Sequence, residues 1–135
     1  MCVFCKIVQG VIPAYKIYED EDFIAILDIS PAIAGHTLII SKKHFQSFFS
    51  LDMKTSEKLG RLAVLLANHL RKILNLENMN MLSNAGKYAG QTVNHFHLHL
   101  IPRYADDGVT FGYKGKSVSK EEFLSLTKLL KFKKT

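Results

Sequence analysis

The sequence predicts an α+β domain, with one long helix laid across a five-stranded antiparallel sheet and short helices at either end. Residues 52–74 carry apolar side chains at helical spacing, Leu59, Leu62, Leu66, Leu70 and Ile73. Short segments rich in β-branched and aromatic residues stand on both sides of that run. Strands, one helix, then strands again lack the regular strand–helix alternation that builds a parallel sheet. With 47% of its 135 residues apolar, the chain is long enough to bury a core as a single domain, residues 1–135, without staples.

Taken in order, residues 2–12 mix apolar and polar positions (Phe4, Ile7, Val8, Val11, Ile12) and read as a short helix ended by Gly10 and Pro13. Residues 15–19 and 23–27 read as two strands of a hairpin across the acidic turn Asp20-Glu21-Asp22. Asp28-Ile29-Ser30-Pro31 favours a turn. Residues 35–41 follow as a third strand, in which His36, Leu38 and Ile40 share a face. The long helix is interrupted by Arg61, Asn68, His69, Arg71 and Lys72 too often to span a membrane, so its apolar stripe is expected to cover the sheet. Gly60 costs about 1 kcal/mol against alanine in mid-helix and suggests a close approach by another helix. Residues 78–83 and 93–101 are the fourth and fifth strands, joined by a glycine-rich loop. Residues 120–130, with Phe123, Leu124, Leu126, Leu129 and Leu130, read as a closing helix.

No apolar run reaches the roughly 20 residues that a bilayer span requires, and the N-terminus lacks the apolar core of a signal peptide. A soluble, cytoplasmic protein with no membrane partner is the expectation. Cys2 and Cys5 are too close together to staple a domain of this size, so they point to metal binding or redox chemistry. The net charge of +6 suggests an anionic partner, although Lys128, Lys131, Lys133 and Lys134 place much of it in a basic, helical tail at 118–135, where a solvated segment explains it equally well.

The chemistry concentrates between Asn84 and Pro102. In an extended strand side chains alternate, so His95, His97 and His99 would emerge on one face and Phe96, Leu98 and Leu100 on the other. A slip of one residue would bury three imidazoles, which fixes the register. Core packing alone does not account for three alternating histidines, given their poor strand propensity and desolvation cost. A single ion held by all three fails on distance. Alternate strand residues lie about 6.6 Å apart and the outer two about 13 Å, whereas metal–nitrogen bonds are about 2 Å. At most two neighbours could share an ion. Nucleophilic or acid–base catalysis remains: a neutral imidazole attacks phosphorus when one ring nitrogen is held as a donor and the other keeps its lone pair. The loop Gly86-Lys87-Tyr88-Ala89-Gly90-Gln91-Thr92 suits such a reaction, because glycines permit close backbone approach and Gln91, Thr92 and free amides can bind phosphate oxygens. It is not a Walker A loop, since no Gly-Lys-Ser/Thr follows at the required spacing.

His95-Phe96-His97-Leu98-His99-Leu100-Ile101, preceded by Gly90-Gln91-Thr92-Val93, resembles the hallmark of the histidine triad (HIT) family. Cys2-Val3-Phe4-Cys5-Lys6-Ile7, Leu27-Asp28-Ile29-Ser30-Pro31, Gly35-His36-Thr37-Leu38-Ile39-Ile40, Lys42-Lys43-His44, and Asn84 eleven residues before His95 are further matches. The likeness covers about residues 2–104 and is nearest to bacterial, Hint-like nucleotide hydrolases. It implies a HIT-like fold, a homodimer, and hydrolysis or transfer at the α-phosphorus of purine nucleotide conjugates, with no catalytic metal. By position, the resemblance makes His97 the nucleophile that forms a nucleotidyl-histidine, His99 a donor to the α-phosphate, and His36 a support for the cluster from the adjacent strand. Gly90, Gln91, Thr92 and Asn84 would lie near the phosphate or leaving group, Asp28 would accept from the ribose hydroxyls, and Ile29 would line the base pocket. Without the resemblance, Asp28 and Asn84 read as plain turn residues. In a bacterial subset the resemblance also implies one structural zinc ion on Cys2, Cys5, His44 and His95. The chain has no Trp and so lacks the Trp-containing tail of the phosphoramidase branch, which leaves phosphoramidates and dinucleoside polyphosphates both open as substrates. The alternatives from other classes are a nucleotide-binding sensor or scaffold with incidental hydrolysis, and a nucleic-acid adaptor acting through the basic tail.

Overall fold

The structure is a computed structural model and describes residues 2–134. Five strands form one antiparallel sheet: β1 (Lys16–Glu19), β2 (Phe23–Leu27), β3 (Thr37–Ser41), β4 (Asn78–Leu82) and β5 (His97–Arg103), in the order β1-β2-β3-β5-β4. Helix α1 (Val3–Val8) precedes them, α2 (Met53–Leu74) connects β3 to β4, and α3 (Lys120–Leu129) follows. The five-stranded sheet, the single long helix and the short terminal helices agree with the expected α+β architecture. No helix is long and apolar enough to cross a membrane among the described residues.

Both faces of the sheet are covered, which explains why β2 and β3 read as nearly unbroken apolar runs. Phe23, Ala25, Ile39, Phe96, Leu98 and Leu100 face α2 and meet Leu62, Ala63, Leu66 and Leu70 from it. Ile24, Ile26, Leu38 and Ile40 point the other way, where Phe4 of α1 lies over them. Asp52 caps α2 by accepting from the Thr55 amide at 2.7 Å, and Asn75 ends it in the left-handed region with φ 53°. Ile73 lies outside the stripe and is 66% exposed.

Two expectations are corrected. The third strand begins at Thr37 rather than residue 35, because the His36 amide closes a turn onto the Ile33 carbonyl and Gly35 adopts φ +92°. A Cβ at Gly35 would stand 3.1 Å from Leu74 Cδ1, so a close approach reinforces the conformational demand for glycine. The fifth strand is displaced, running from His97 to Arg103 instead of 93–101. Its pairing with β3 starts only at Ile40 and His97, while the residues before it bend, the His95 amide donating to the Val93 carbonyl and the Phe96 amide to the Phe45 carbonyl. His95 therefore precedes the strand. Helix α3 forms as expected, and none of its residues is buried.

Leu66→Ala should lower the free energy of unfolding by about 2–5 kcal/mol, the usual cost of such a cavity in a core, as read by urea titration. Gly35→Ala is expected to destabilise through its backbone, with no change in the amount of surface exposed on unfolding, so the titration midpoint should fall at constant slope.

Candidate active site and metal centre

The tautomers of His97 and His36 are set by backbone partners whose chemistry is unambiguous, and that of His99 follows from His36. A carbonyl oxygen only accepts, so His97 Nδ1, 2.7 Å from the His95 carbonyl, carries the proton and leaves Nε2 with its lone pair. A backbone amide only donates, so His36 Nδ1, which receives the Ala32 N–H at 2.9 Å, is bare, and His36 Nε2 holds the proton. That proton is donated to His99 Nδ1 at 2.8 Å, which places the remaining N–H of His99 on Nε2. The result is a lone pair on His97 and a donor on His99, with ring centroids 5.1 Å apart. A short relay of bonds through His36 back to the main chain fixes them.

Burial keeps the relay neutral. It pushes His99 down from its ordinary value to about 4, with His97 and His36 adding to the effect. His36 is lowered for the same reason, opposed by the Asp28 carboxylate, whose Oδ2 stands 3.6 Å from His36 Nε2. Asp28, His36 and His99 are close enough to be considered as metal ligands. The 2.8 Å between the two ring nitrogens is instead a hydrogen bond, since two nitrogens at about 2 Å from one tetrahedral ion stand more than 3 Å apart.

His97 and His99 open into a cavity of about 410 Å³, within the range of small-molecule sites. Asp28, Ile29 and Thr92 line it as well. Asp28 Oδ1 accepts from the Ser30 amide at 2.8 Å, as a turn residue does, and its Oδ2 stands 3.6 Å from His36 Nε2. The rest of the wall is apolar and comes from Val3, Phe4 and Ile7 of α1 together with Ile12, Pro13 and Leu38. Sequence reasoning saw in this segment a short helix and two candidate metal ligands but no cavity wall, yet Phe4 sets its ring edge-on to His97 at 4.9 Å. Ala32 was equally invisible, because it acts through its amide and any residue but proline supplies one.

Asn84, Gly90 and Gln91 do not line this cavity. Gln91 folds back into the loop, accepting from the Gly86 amide at 2.8 Å and donating to the carbonyls of Gln46 and Val93 at 2.7 and 2.9 Å. Asn84 donates to the Gly90 carbonyl at 3.4 Å, and Gly90 turns the chain at φ +93°. The three brace the loop that presents Thr92.

Cys2, Cys5, His44 and His95 come together as expected, from the start of α1, the segment after β3 and the bend before β5. Their sulfur and Nδ1 atoms are separated pairwise by 3.1 to 3.6 Å. A tetrahedron with such edges has its centre about 2 Å from each vertex, the length of a metal–nitrogen bond and slightly under that of a metal–sulfur bond. His95 is fully buried, and burial holds its pKa below the ordinary value. Its Nε2 donates to the Ser41 carbonyl at 2.6 Å, which turns a bare Nδ1 toward the sulfurs, the orientation a ligand requires. These residues can hold a metal ion.

The relay predicts a pH dependence of stability. His99 binds a proton near pH 6.5 when unfolded and only at about 4 when folded, so on acidification the unfolded chain takes up the proton first. The contribution is complete above 6.5 and is lost as pH falls toward 4. In urea titrations across that window His99→Asn should show a shallower loss than the unaltered chain; equal slopes would contradict the assignment.

Comparison with known proteins agrees with this geometry. Residues 9–106 match the model of the HIT domain. The adenosine 5'-monophosphoramidase of Schizosaccharomyces pombe is 36% identical over 126 residues, covering 93% of this chain and 92% of that protein. A crystal structure from Streptococcus mutans UA159 superposes with a TM-score of 0.89 at 37% identity, over 96% of this chain and 82% of the other. A zinc-bound histidine triad family protein from Mycobacterium smegmatis superposes at 0.76 with 40% identity, over 85% of this chain and 84% of its own. With the triad, the relay and the domain match in agreement, the chain belongs to the HIT domain family.

Proposed function

We propose that this protein is a nucleotidyl hydrolase acting at the α-phosphorus of purine nucleotide conjugates, nucleoside phosphoramidates or dinucleoside polyphosphates, and that it works as a homodimer. The observation that carries the reading is the pairing of a lone pair on His97 Nε2 with a donor on His99 Nε2 at the mouth of one cavity. The similarity to a yeast adenosine 5'-monophosphoramidase supports the substrate class.

In the first step His97 Nε2 attacks the α-phosphorus, a P–N bond forms, and the bond to the leaving group breaks. In the second, water attacks the same phosphorus, the P–N bond breaks, and a nucleoside monophosphate departs. Splitting one displacement into two in this way lowers each barrier. The transferring group gathers charge on its oxygens, where the fixed His99 Nε2–H and the Thr92 hydroxyl donate. Because the His99 donor is held before substrate arrives, little reorganisation is needed there. His36 acts through His99, keeping its tautomer. Asp28 Oδ2 accepts from the ribose, Ile29 and the α1 wall take the base, and Gln91, Gly90 and Asn84 hold the loop from which the phosphate-binding amides are presented.

Cys2, Cys5, His44 and His95 fit a zinc ion, and a zinc-bound relative supports that choice. With four protein ligands zinc supplies cross-linking rather than chemistry. The cluster ties α1, and with it the apolar cavity wall, to the bend that carries His95.

His97→Ala should retain nucleotide binding and lose turnover of adenosine phosphoramidate by several orders of magnitude. Quenched turnover of the unaltered chain should leave an adduct of nucleotide mass on the His97 peptide. Wild-type turnover by the variant, or an adduct elsewhere, would refute the mechanism. Native mass spectrometry should find one zinc per chain, absent from a Cys2→Ala, Cys5→Ala double variant that also melts at lower temperature. A metal-free chain of unchanged melting temperature would refute the structural role.

A further inference from the structure

Two thiols stand side by side at the start of α1. Cys2 is the N-cap residue, in extended backbone at φ −74° and ψ 162°, so its side chain folds over the first turn and accepts from the Cys5 amide at 3.2 Å. The two sulfurs are thereby brought to 3.1 Å, and both are free. A disulfide is about 2 Å long, so joining them takes about 1 Å of side-chain movement and no change of fold.

The cluster has a closed end and an open one. His95 is fully buried, and the Phe4 ring stands edge-on to it at 6.0 Å. At the other end His44 is exposed, and the two cysteines are half-buried. Oxidation of a cysteine requires such access. A small neutral oxidant has it from the His44 side.

The same sulfurs carry the polar attachment of α1. Among the described residues, every backbone hydrogen bond made by residues 2–12 closes within that segment. The side-chain contacts between polar groups that leave it all start from Cys2 or Cys5, to His44 Nδ1 at 3.6 and 3.2 Å and to His95 Nδ1 at 3.3 and 3.4 Å. What remains is apolar packing, chiefly that of Phe4 with Ile7 and Val8 beside it. A helix of six residues does not persist without tertiary support.

We infer that Cys2 and Cys5 are a peroxide-oxidisable dithiol, and that closing their disulfide releases α1 from the bend that carries His95. The sulfurs are thiolates when they serve as zinc ligands. One attacks an oxygen of hydrogen peroxide; an S–O bond forms, the O–O bond breaks and hydroxide leaves. The second sulfur then attacks the first, an S–S bond forms, the S–O bond breaks and a second hydroxide leaves. The sulfur pair loses two electrons, the peroxide gains them, and two protons from solvent turn the hydroxides into water. Two imidazole nitrogens are then all that remain of the four-ligand set, too few for a structural zinc site. Because the new bond lies within one turn of α1, it ties the helix to nothing else. Val3, Phe4 and Ile7, which wall the cavity, lose their anchor.

Release of an ion rests on the zinc reading above, whereas the dithiol rests on the sulfur pair itself. The test treats the full chain, as purified, with a small molar excess of hydrogen peroxide. Denatured intact mass should fall by two hydrogen atoms per chain, with Cys2 and Cys5 joined within one peptide, and dithiothreitol should restore it. One zinc ion per chain should appear in solution, read by the colour of pyridylazo-resorcinol. Hydrogen exchange at the amides of residues 3–8 should accelerate several-fold while those of α2 keep their protection. Oxygen added to a single cysteine, a disulfide between two chains, or sulfurs still reduced once the methionines have become sulfoxides would overturn the inference. Unchanged exchange in α1 after the disulfide has closed would overturn the release of the helix. A chain that carries no zinc yet loses the two hydrogens would sustain the dithiol and refute the zinc reading.

Discussion

Three groups of one buried residue, His95, hold the functional half of the molecule in place. Its Nε2–H reaches the end of β3 through the Ser41 carbonyl, its Nδ1 faces two sulfurs and a second imidazole, and its carbonyl receives the proton that fixes His97. Loss of any one bond leaves a polar group buried without a partner, which costs more than the bond itself contributes. The node thus couples an N-terminal helix of six residues, too short to stand alone, to the nitrogen that faces the cavity. The candidate metal centre and the candidate active site are therefore one construction with two ends.

The two faces of the sheet divide the labour. Against α2 an apolar cluster supplies stability. On the opposite face a smaller cluster under α1 gives way to His97, His99 and the cavity. Central strands β3 and β5 serve both, since alternate residues of each face opposite ways. Ile39 and Leu98 pack on the helix while Leu38 and His99, register partners, meet at the cavity. A rigid two-sided sheet is what allows the imidazoles to be held to hydrogen-bond precision.

Much of this was legible in the sequence because periodicity reports burial. The alternation from Phe96 to Leu100 separated the helix-facing residues from the histidines, and the spacing of Leu62, Leu66 and Leu70 announced α2. What escaped notice depends on the main chain or on tertiary partners. Nothing local shows that strand pairing starts at His97, because the reason lies in where β3 ends and in the Phe45 carbonyl. The role of Ala32 is an amide's, and that of Gln91 is to join two backbone groups of its own loop to the distant Gln46 carbonyl. Phe4 and Ile7 read as ordinary apolar positions; only the folded chain shows that the surface they cover is a ligand cavity. Ile73 shows the opposite failure, a residue at helical spacing that the folded chain leaves exposed.

The meeting of Cys2 with His95 also bears on how the chain reaches its native state. These partners are 93 positions apart, so the loop between them must close before either contributes, and contacts of that separation form late and slowly. On a ribosome the amino-terminal helix cannot complete the cluster until residue 95 has been made. Sheet and long helix can condense first, around contacts that do not involve it. The pocket is then the last part of the molecule to mature, and its completion marks a fully assembled protein.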